Sequence, residues 1–366
     1  MDLKVISSKE LSKSDPVFGQ ISFDNHEQIV FCHDKDTGLK AIIGIHNTVL
    51  GPALGGTRMW NYDTEFEALN DVLRLSRGMT FKSAISGLNL GGGKAVIIGD
   101  AKTQKTPELM RKFAGFVDSL GGKYITAEDV GMTTNDMDIV REVTSHVVGV
   151  SEEKGGSGNP SPNTAYGVFM GMKAAAKYKY GSDALEGKSV LVQGVGNVGE
   201  ALIKHLLKEG AKVTISDIHR AHSEAIANTY KVDVYEGDDV YSHPMDIYAP
   251  CALGATINDD TINKIKAQII AGSANNQLAE ERHGQMLQEK GIVYAPDFLI
   301  NAGGIIHVYS EIENWDKQEI KRKTEDIYNT TLEILERAAK NDVTPNAAAL
   351  KIAKERISKR DNEQLK

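Results

Sequence analysis

The chain has 366 residues, 41% hydrophobic and 25% charged, enough for two domains with full-sized cores and ordinary for a globular protein in water. Its 42 basic and 50 acidic residues leave a formal net charge of −8, which argues against nucleic acid or an anionic membrane as a partner. Two cysteines without CxxC or CxxH spacing, Cys32 and Cys251, point away from a disulfide framework or a bound metal and toward a reducing cytoplasm.

In chain order, the opening MDLKVISSKELSKSD mixes charge throughout and has no apolar core, so no signal peptide is expected. No apolar stretch is long enough to span a bilayer. QIVFCH and LKAIIGIH flank HDKDTG, two strand-like runs around a turn-forming cluster. Thr64 and Glu67 form a T-x-x-E capping box ahead of Phe66, Leu69, Val72 and Leu73, which predicts a helix. KAVIIGD predicts a short buried strand, with the glycines of SGLNLGGGK forming a bend before it. A helix opening at Thr106-Pro107 places Leu109, Met110, Phe113, Phe116, Val117 and Leu120 on one face and stops at Gly121-Gly122. KYITAEDVG then runs from a strand into a loop.

The stretch SEEKGGSGNPSPN, residues 151 to 163, is the linker candidate. Beyond it TAYGVFMGMKAAAKY, SVLVQ, NVGEALIKHLLKEG and KVTISD alternate helix and strand, and MDIYAP, AQIIAGS and IVYAP follow as further strands. That spacing predicts an α/β protein whose second domain is a Rossmann-type, doubly wound parallel sheet. Thr344 and Pro345 cap a last helix, within a C-terminal helical segment expected to pack back on the first domain.

The dinucleotide fingerprint is specific. In QGVGNVGEAL, Gly194, Gly196 and Gly199 fit G-x-G-x-x-G between a strand and a helix, with Val195, Asn197 and Val198 between them. Gly194 permits the tight turn, Gly196 the approach of backbone to a pyrophosphate, and Gly199 close packing of helix on sheet. Asp217 ends the next strand, 23 residues after Gly194, where it would accept hydrogen bonds from the ribose hydroxyls. Its charge favours NAD over NADP, although Arg220 nearby softens that preference.

GGGK suggests a phosphate loop and fails as one. Ala95 follows Lys94 where a hydroxyl is required, Leu88 holds the place of the first glycine, and the glycines precede their strand. By residue type alone Lys82 and Lys94 would be solvated surface lysines, and Asp129 a turn aspartate. Their apolar surroundings, their spacing around one bend, and the position of Asp129 at a strand end set against that a second reading, in which the three meet in one cleft. Lysine suits proton movement there, since burial and a second cation lower its pKa while a guanidinium stays charged.

Together, GPALGGTRMW, GMTFKSAISGLNLGGGKAVI, YITAEDVG, GNPSPNTAYGV, VQGVGNVG, DIYAPCALGA, AGSANNQL and APDFLINAGGII resemble the leucine dehydrogenase group of the Glu/Leu/Phe/Val amino-acid dehydrogenases. The resemblance runs from about residue 28 to the C-terminal helices, and the first two dozen residues look like an extension. It implies a substrate and oligomerisation domain over residues 1–150, joined by the helices from about 335 to 366. An NAD domain would occupy 151–334, with a cleft between the two. It also implies that Lys82 holds the substrate carboxylate, Lys94 is the catalytic lysine and Asp129 exchanges the amino proton. Gly55 and Gly56 would let backbone approach the substrate, and Leu54, Ala127, Ile305 and Val308 would line an apolar pocket. Thr164 and Asn275 would touch the cofactor, NAD.

Leu54 stands where glutamate enzymes of this superfamily carry a lysine, which favours branched-chain L-amino acids, their 2-oxo acids and ammonium as substrates. His307 in GGIIHV departs toward phenylalanine enzymes, so phenylalanine or valine remains an alternative. A non-catalytic NAD-binding sensor is the alternative from another class, and it would need none of Lys82, Lys94 and Asp129. The family forms hexamers or octamers, so the resemblance implies a homo-oligomer, with an octamer expected.

Overall fold

The structure, a computed structural model, describes residues 17–19, 22–237 and 239–364. The segment taken as an N-terminal extension therefore lies largely outside the described residues. The chain forms two compact units. One comprises the described residues up to Asn159 with Val308–Asn314 and residues 353–364; the other comprises Pro160–His307 and Trp315–Ile352. The division falls within the Gly-, Ser- and Pro-rich stretch at 151–163, whose last residues already belong to a helix.

In the first unit β1 (Gln28–Asp34), β2 (Leu39–Asn47), β3 (Ala53–Trp60), α1 (Glu65–Ile85), β4 (Gly91–Ile98), α2 (Pro107–Asp118), β5 (Tyr124–Glu128) and α3 (Thr134–Arg141) follow in order. The sheet is mixed, in the order β1-β2-β4-β3-β5. β1, β2 and β4 pair antiparallel, while β3 runs parallel to both β4 and β5. The first hairpin turns where the Asp34 carboxylate accepts from Thr37 N–H at 3.0 Å and Gly38 takes a φ of +74°.

The cap of α1 differs in one detail from the expected box. Thr64 Oγ1 accepts from Glu67 N–H at 3.2 Å, but the Glu67 carboxylate reaches past Thr64 to the N–H of Asp63 at 3.1 Å. At its other end, Arg356 donates to the carbonyls of Ala84 at 3.0 Å and Leu88 at 2.7 Å, tying the C-terminal residues to the last turn of α1.

The largest departure concerns GGGK. Gly91, Gly92 and Gly93 are buried residues of β4 rather than a bend before it, and the turn lies earlier, at Gly87 with its φ of +73°. Their function is local and steric. A Cβ on Gly92 would sit 2.1 Å from Thr80 N of α1, and one on Gly93 would sit 2.6 Å from the Tyr124 ring. One on Gly55 of β3 would meet the Gly93 carbonyl at 1.7 Å. Glycine here lets a helix, two strands and an aromatic ring approach more closely than any other residue would allow.

The second unit contains α4 (Ser161–Tyr180), β6 (Ser189–Gln193), α5 (Asn197–Lys208), β7 (Lys212–Ser216), α6 (Arg220–Tyr230), β8 (Asp233–Val234), β9 (Ile247–Pro250), β10 (Ile269–Ile270), α7 (Glu281–Glu289), β11 (Val293–Tyr294) and α8 (Asp297–Ile300). Then come α9 (Gly303–Glu313), α10 (Lys317–Asn341) and α11 (Pro345–Gln364); α9 and α11 are divided between the units at 307/308 and 352/353. The six strands are all parallel, in the order β11-β10-β9-β6-β7-β8. The order reverses beside β6, so the turn after β6 lies at the switch point where such sheets bind ligands.

These glycines separate into two classes with opposite responses to a methyl group. Gly92→Ala should destabilise the protein by about 1–3 kcal/mol, because neither Thr80 backbone nor the sheet can retreat. Gly115→Ala, on exposed α2 surface with nothing within 4 Å of the new Cβ, should stabilise it by about 0.5–1 kcal/mol. Thermal unfolding midpoints of the two variants, moving in opposite directions, are the check.

Candidate active site

Strand alternation sorts the first unit's residues onto two faces. Ala53, Met59, Ala95 and Ile97 join the core formed with Leu109, Met110 and Phe113 of α2. Val96 and Ile42 face the other way, into the cluster with Leu69, Val72 and Leu73 of α1. By period-two counting Lys94 shares that second face on β4, and Leu54, Gly56 and Arg58 share it on β3. Ala127, opposite Gly56 in register, joins them from β5. Asp129 follows directly, its Cβ only 2.9 Å from where a Gly56 Cβ would be. Five residues from three strands, with Asp129 just beyond the end of β5, thus meet on one surface.

The centre of that surface is an ion pair. Lys94 Nζ donates to Asp129 Oδ2 at 2.7 Å, and Arg58 Nε donates to the same oxygen at 3.0 Å. Lys94 is only 6% exposed. Burial pushes its pKa down, the attraction of Asp129 opposes this, the Arg58 guanidinium lowers it further, and the net direction is below the ordinary lysine range. Burial raises the Asp129 carboxyl, but Lys94 and Arg58 outweigh it and hold it below the usual carboxylate value. Two cations on one oxygen leave Oδ1 of Asp129 without a hydrogen bond among the described residues.

Leu54 and Ala127 are buried beside this pair and add only apolar surface. Lys82 lies half-buried in the last turn of α1, the helix whose Thr80 touches Gly92 of β4. Val308 is half-buried and within 4.0 Å of the position of a Gly149 Cβ. Ile305, buried in α9, belongs to the other unit.

In the second unit the fingerprint glycines are not equivalent. A Cβ on Gly194, which has a φ of +96°, would strike Ala252, and one on Gly199 would lie 2.1 Å from the Gly194 carbonyl. At Gly196 nothing lies within 4 Å, so no protein atom accounts for the missing side chain there. Gly196 is also the N-cap of α5, and no side chain caps that end, where Asn197, Val198 and Gly199 N–H groups begin the helix. This is a cradle that fits a phosphate group. Asp217 accepts from Val195 N–H at 3.0 Å and His219 N–H at 2.9 Å, so it braces the turn itself. Burial raises its pKa, but those two bonds outweigh that and lower it, keeping a carboxylate with lone pairs to spare. Ile218 beside it is 90% exposed and Leu253 is 74% exposed, apolar surface that an aromatic base would cover. Thr164 bonds its own helix start at Pro160, and exposed Asn275 accepts from Asn301 at 2.7 Å. These residues therefore fit a dinucleotide.

Sequence inspection missed Arg58, Asp71 and Tyr62. Arg58 Nη1 donates to Asp71 Oδ2 at 2.9 Å, Tyr62 donates to the same oxygen at 2.7 Å, and Arg74 donates to Oδ1 at 2.9 Å. One signal was available, an arginine on the inward phase of the otherwise apolar strand ALGGTRMW. Among the described residues no group of three or more His, Cys, Asp or Glu could hold a metal ion, and no helix is long and apolar enough to cross a membrane.

Two family models match the chain. Residues 26–146 match the Glu/Leu/Phe/Val dehydrogenase dimerisation domain, and residues 155–221 and 214–364 match the glutamate/leucine/phenylalanine/valine dehydrogenase domain. The chain is 53% identical over 335 residues to a leucine dehydrogenase of Bacillus subtilis (strain 168), covering 92% of each chain. It is 47% identical over 348 residues to a phenylalanine dehydrogenase of Caldalkalibacillus thermarum, covering 94% of each. A crystal structure of L-tryptophan dehydrogenase from Nostoc punctiforme superposes with a TM-score of 0.81 at 45% identity, covering 92% of this chain and 96% of that one.

The shared oxygen of Asp129 makes a direct stability prediction. Asp129→Asn leaves buried Lys94 without its anion and Arg58 with Asp71 alone, which should destabilise the protein at neutral pH by roughly 2–4 kcal/mol. Lys94 then loses the group that favoured its charged form, so its folded pKa falls further below its unfolded value. Between those two values the unfolded chain binds more protons, so the variant should regain stability as pH rises toward 10. Thermal midpoints of wild type and variant between pH 7 and pH 10 would show the gap closing.

Proposed function

The chain belongs to the Glu/Leu/Phe/Val dehydrogenase family, and on that premise we propose that it catalyses the reversible NAD-dependent oxidative deamination of L-leucine and other branched-chain L-amino acids, giving 2-oxo acids and ammonium. The observation that carries this reading is the buried Lys94 amine held 2.7 Å from Asp129 on an apolar sheet face. A chain kept only to sense a dinucleotide has no use for such a pair. The fingerprint turn, the open space at Gly196 and the carboxylate of Asp217 support NAD.

The chemistry follows from the proton affinities. Lys82 holds the substrate carboxylate and Asp129 takes a proton from the substrate ammonium through Oδ1, leaving a neutral amine. The bound nicotinamide supplies the acceptor for the hydride that leaves Cα. Lys94, its ammonium form disfavoured by burial, then removes a proton from water as that water adds to the iminium carbon. Asp129 returns its proton to the amino group, the C–N bond breaks as the carbinol hydroxyl gives its proton back to Asp129 and becomes the carbonyl of the 2-oxo acid, and the ammonia released takes that proton and leaves as ammonium, while Lys94 sheds the proton of the water to solvent. Lys94 and Arg58 supply the positive field that the intermediate oxyanion requires.

Leu54 and Ala127 present hydrocarbon and no cation to the substrate side chain, which supports aliphatic over acidic substrates. Ile305 and Val308, both branched, fit the same preference. The dimerisation-domain match supports self-association of this chain. An octamer in the cytoplasm is the assembly and location we propose, and a solution mass of eight protomers by light scattering would verify the number.

NADH oxidation with ammonium and a panel of 2-oxo acids tests the function. The branched-chain 2-oxo acids should give the highest kcat/KM, with NADH preferred to NADPH; phenylpyruvate ranking first would favour a phenylalanine enzyme, and no turnover with any would sink the dehydrogenase reading. Lys94→Arg keeps a cation for Asp129 but cannot deprotonate, so kcat should fall about 10²–10⁴-fold in a folded protein.

A further inference from the structure

We propose that Arg58 is a positioning residue of the reaction: it holds Asp129 through Oδ2, so that Oδ1 is left for the substrate's proton, and Asp71 in turn holds Arg58. The proposal rests on the dehydrogenase reading above. Its basis is an unbroken alternation of charge, Lys94 to Asp129 at 2.7 Å, Asp129 to Arg58 at 3.0 Å, Arg58 to Asp71 at 2.9 Å, and Asp71 to Arg74 at 2.9 Å. Each carboxylate in it lies between two cations. The far end is anchored on α1 by Arg74 and by the Tyr62 hydroxyl, so Asp71 has no slack to give.

The residue type is specific to the task. Arg58 spans two carboxylates with two nitrogens, Nε toward Asp129 and Nη1 toward Asp71. The planar guanidinium fixes the angle between those bonds, whereas a lysine offers one nitrogen on a flexible stem. Both carboxylates attract Arg58, and they hold it charged despite its burial. It therefore stays a cation at any pH where Lys94 and Asp129 exchange protons.

Asp129, Arg58 and Asp71 act on Lys94, and the charged and titratable groups of the elements packed around it are these. β3 contributes Arg58, the segment after β5 contributes Asp129, and α1 carries Asp71, Arg74 and Lys82, with Tyr62 just before it. Tyr124, whose hydroxyl donates to the Gly55 carbonyl at 2.6 Å, lies under Gly93 and is kept neutral by burial. Within this set Arg58 and Asp71 act on Lys94 with opposite sign: the guanidinium disfavours its proton and the Asp71 carboxylate favours it.

Opposite signs give a test that a merely structural role would not pass. Arg58→Gln should lower kcat for deamination about 10- to 100-fold and move the rising limb of the pH–rate profile to higher pH, by about half a unit or more. Asp71→Asn should also lower kcat but move the same limb to lower pH. Arg58→Lys should return the limb toward its wild-type position without recovering kcat, because charge is restored and the two-pronged geometry is not. Limbs that stay in place in both variants, or move the same way, would overturn the proposal and leave Arg58 a packing residue. If Arg58→Gln fails to fold, Asp71→Asn and Arg58→Lys carry the test, and an unmoved limb in Asp71→Asn rejects it. The underlying reading fails separately, if Lys94→Ala retains turnover.

Discussion

An amine that must give up and take back a proton cannot sit in water, where it would stay charged, nor alone in an apolar core, where it would not stay charged long enough to bind an anion. On the function proposed above Lys94 is such an amine, and its burial against Asp129 holds it between those limits. Removing an ammonium from water carries a penalty of several kcal/mol, and the protein offsets it with one carboxylate at contact distance rather than with solvent. Asp129 then needs more than one cation to remain ionised inside the same face, which brings in Arg58. Arg58 needs a second carboxylate, which brings in Asp71. Each step follows from leaving no buried charge without a neighbour of opposite sign.

This requirement accounts for features of the sheet that look unrelated. The network joins β3, β4, α1 and the end of β5, so these elements must be close enough for side chains of ordinary length to span them. Glycine at 55, 92 and 93 removes the side chains that would hold them apart, with backbone or ring atoms already occupying the vacated positions. The opposite face of the sheet is left to Ala53, Met59, Ala95 and Ile97 with α2, an apolar layer that needs no polar balance. The charged network and the core against α2 are thus separated by the alternation of adjacent residues along single strands, as Thr57 and Arg58 or Lys94 and Ala95 show.

How far the sequence reveals this depends on the range of the interaction. Caps at Thr64, Thr106 and Thr344, the fingerprint at Gly194, and the strand and helix alternation are local patterns, and the structure contains them. The pairing of Lys94 with Asp129 spans 35 residues, and residue type and a resemblance mark the two as site candidates without showing that they pair. Arg58 and Asp71, thirteen residues apart on a strand and a helix, have no periodic relation to each other; the parallel register of β3 with β4 and β5 brings Arg58 to the site, and the packing of α1 on that sheet brings Asp71. The glycine bend assigned before β4 was wrong for a related reason. A run of small residues has weak strand propensity, and only the approach of α1 and Tyr124, both distant in sequence, makes a strand there favourable.

The two glycine-rich stretches also show why composition alone cannot assign a phosphate site. Both place three glycines near the end of a β element, and both would be marked by any pattern that counts glycine. The difference lies in what stands where a side chain would be. At Gly92 and Gly93 that space holds backbone and ring atoms of this protein, so no ligand can enter and the glycines serve packing. At Gly196 it holds nothing within 4 Å, and the uncapped start of α5 follows it directly. Packing glycines are saturated by their own fold; a ligand-binding glycine leaves free space beside unused N–H groups. By that criterion the turn at 194–199 is the stretch that fits a phosphate, and the glycines before Lys94 serve to bring α1 down onto the strand that carries the lysine.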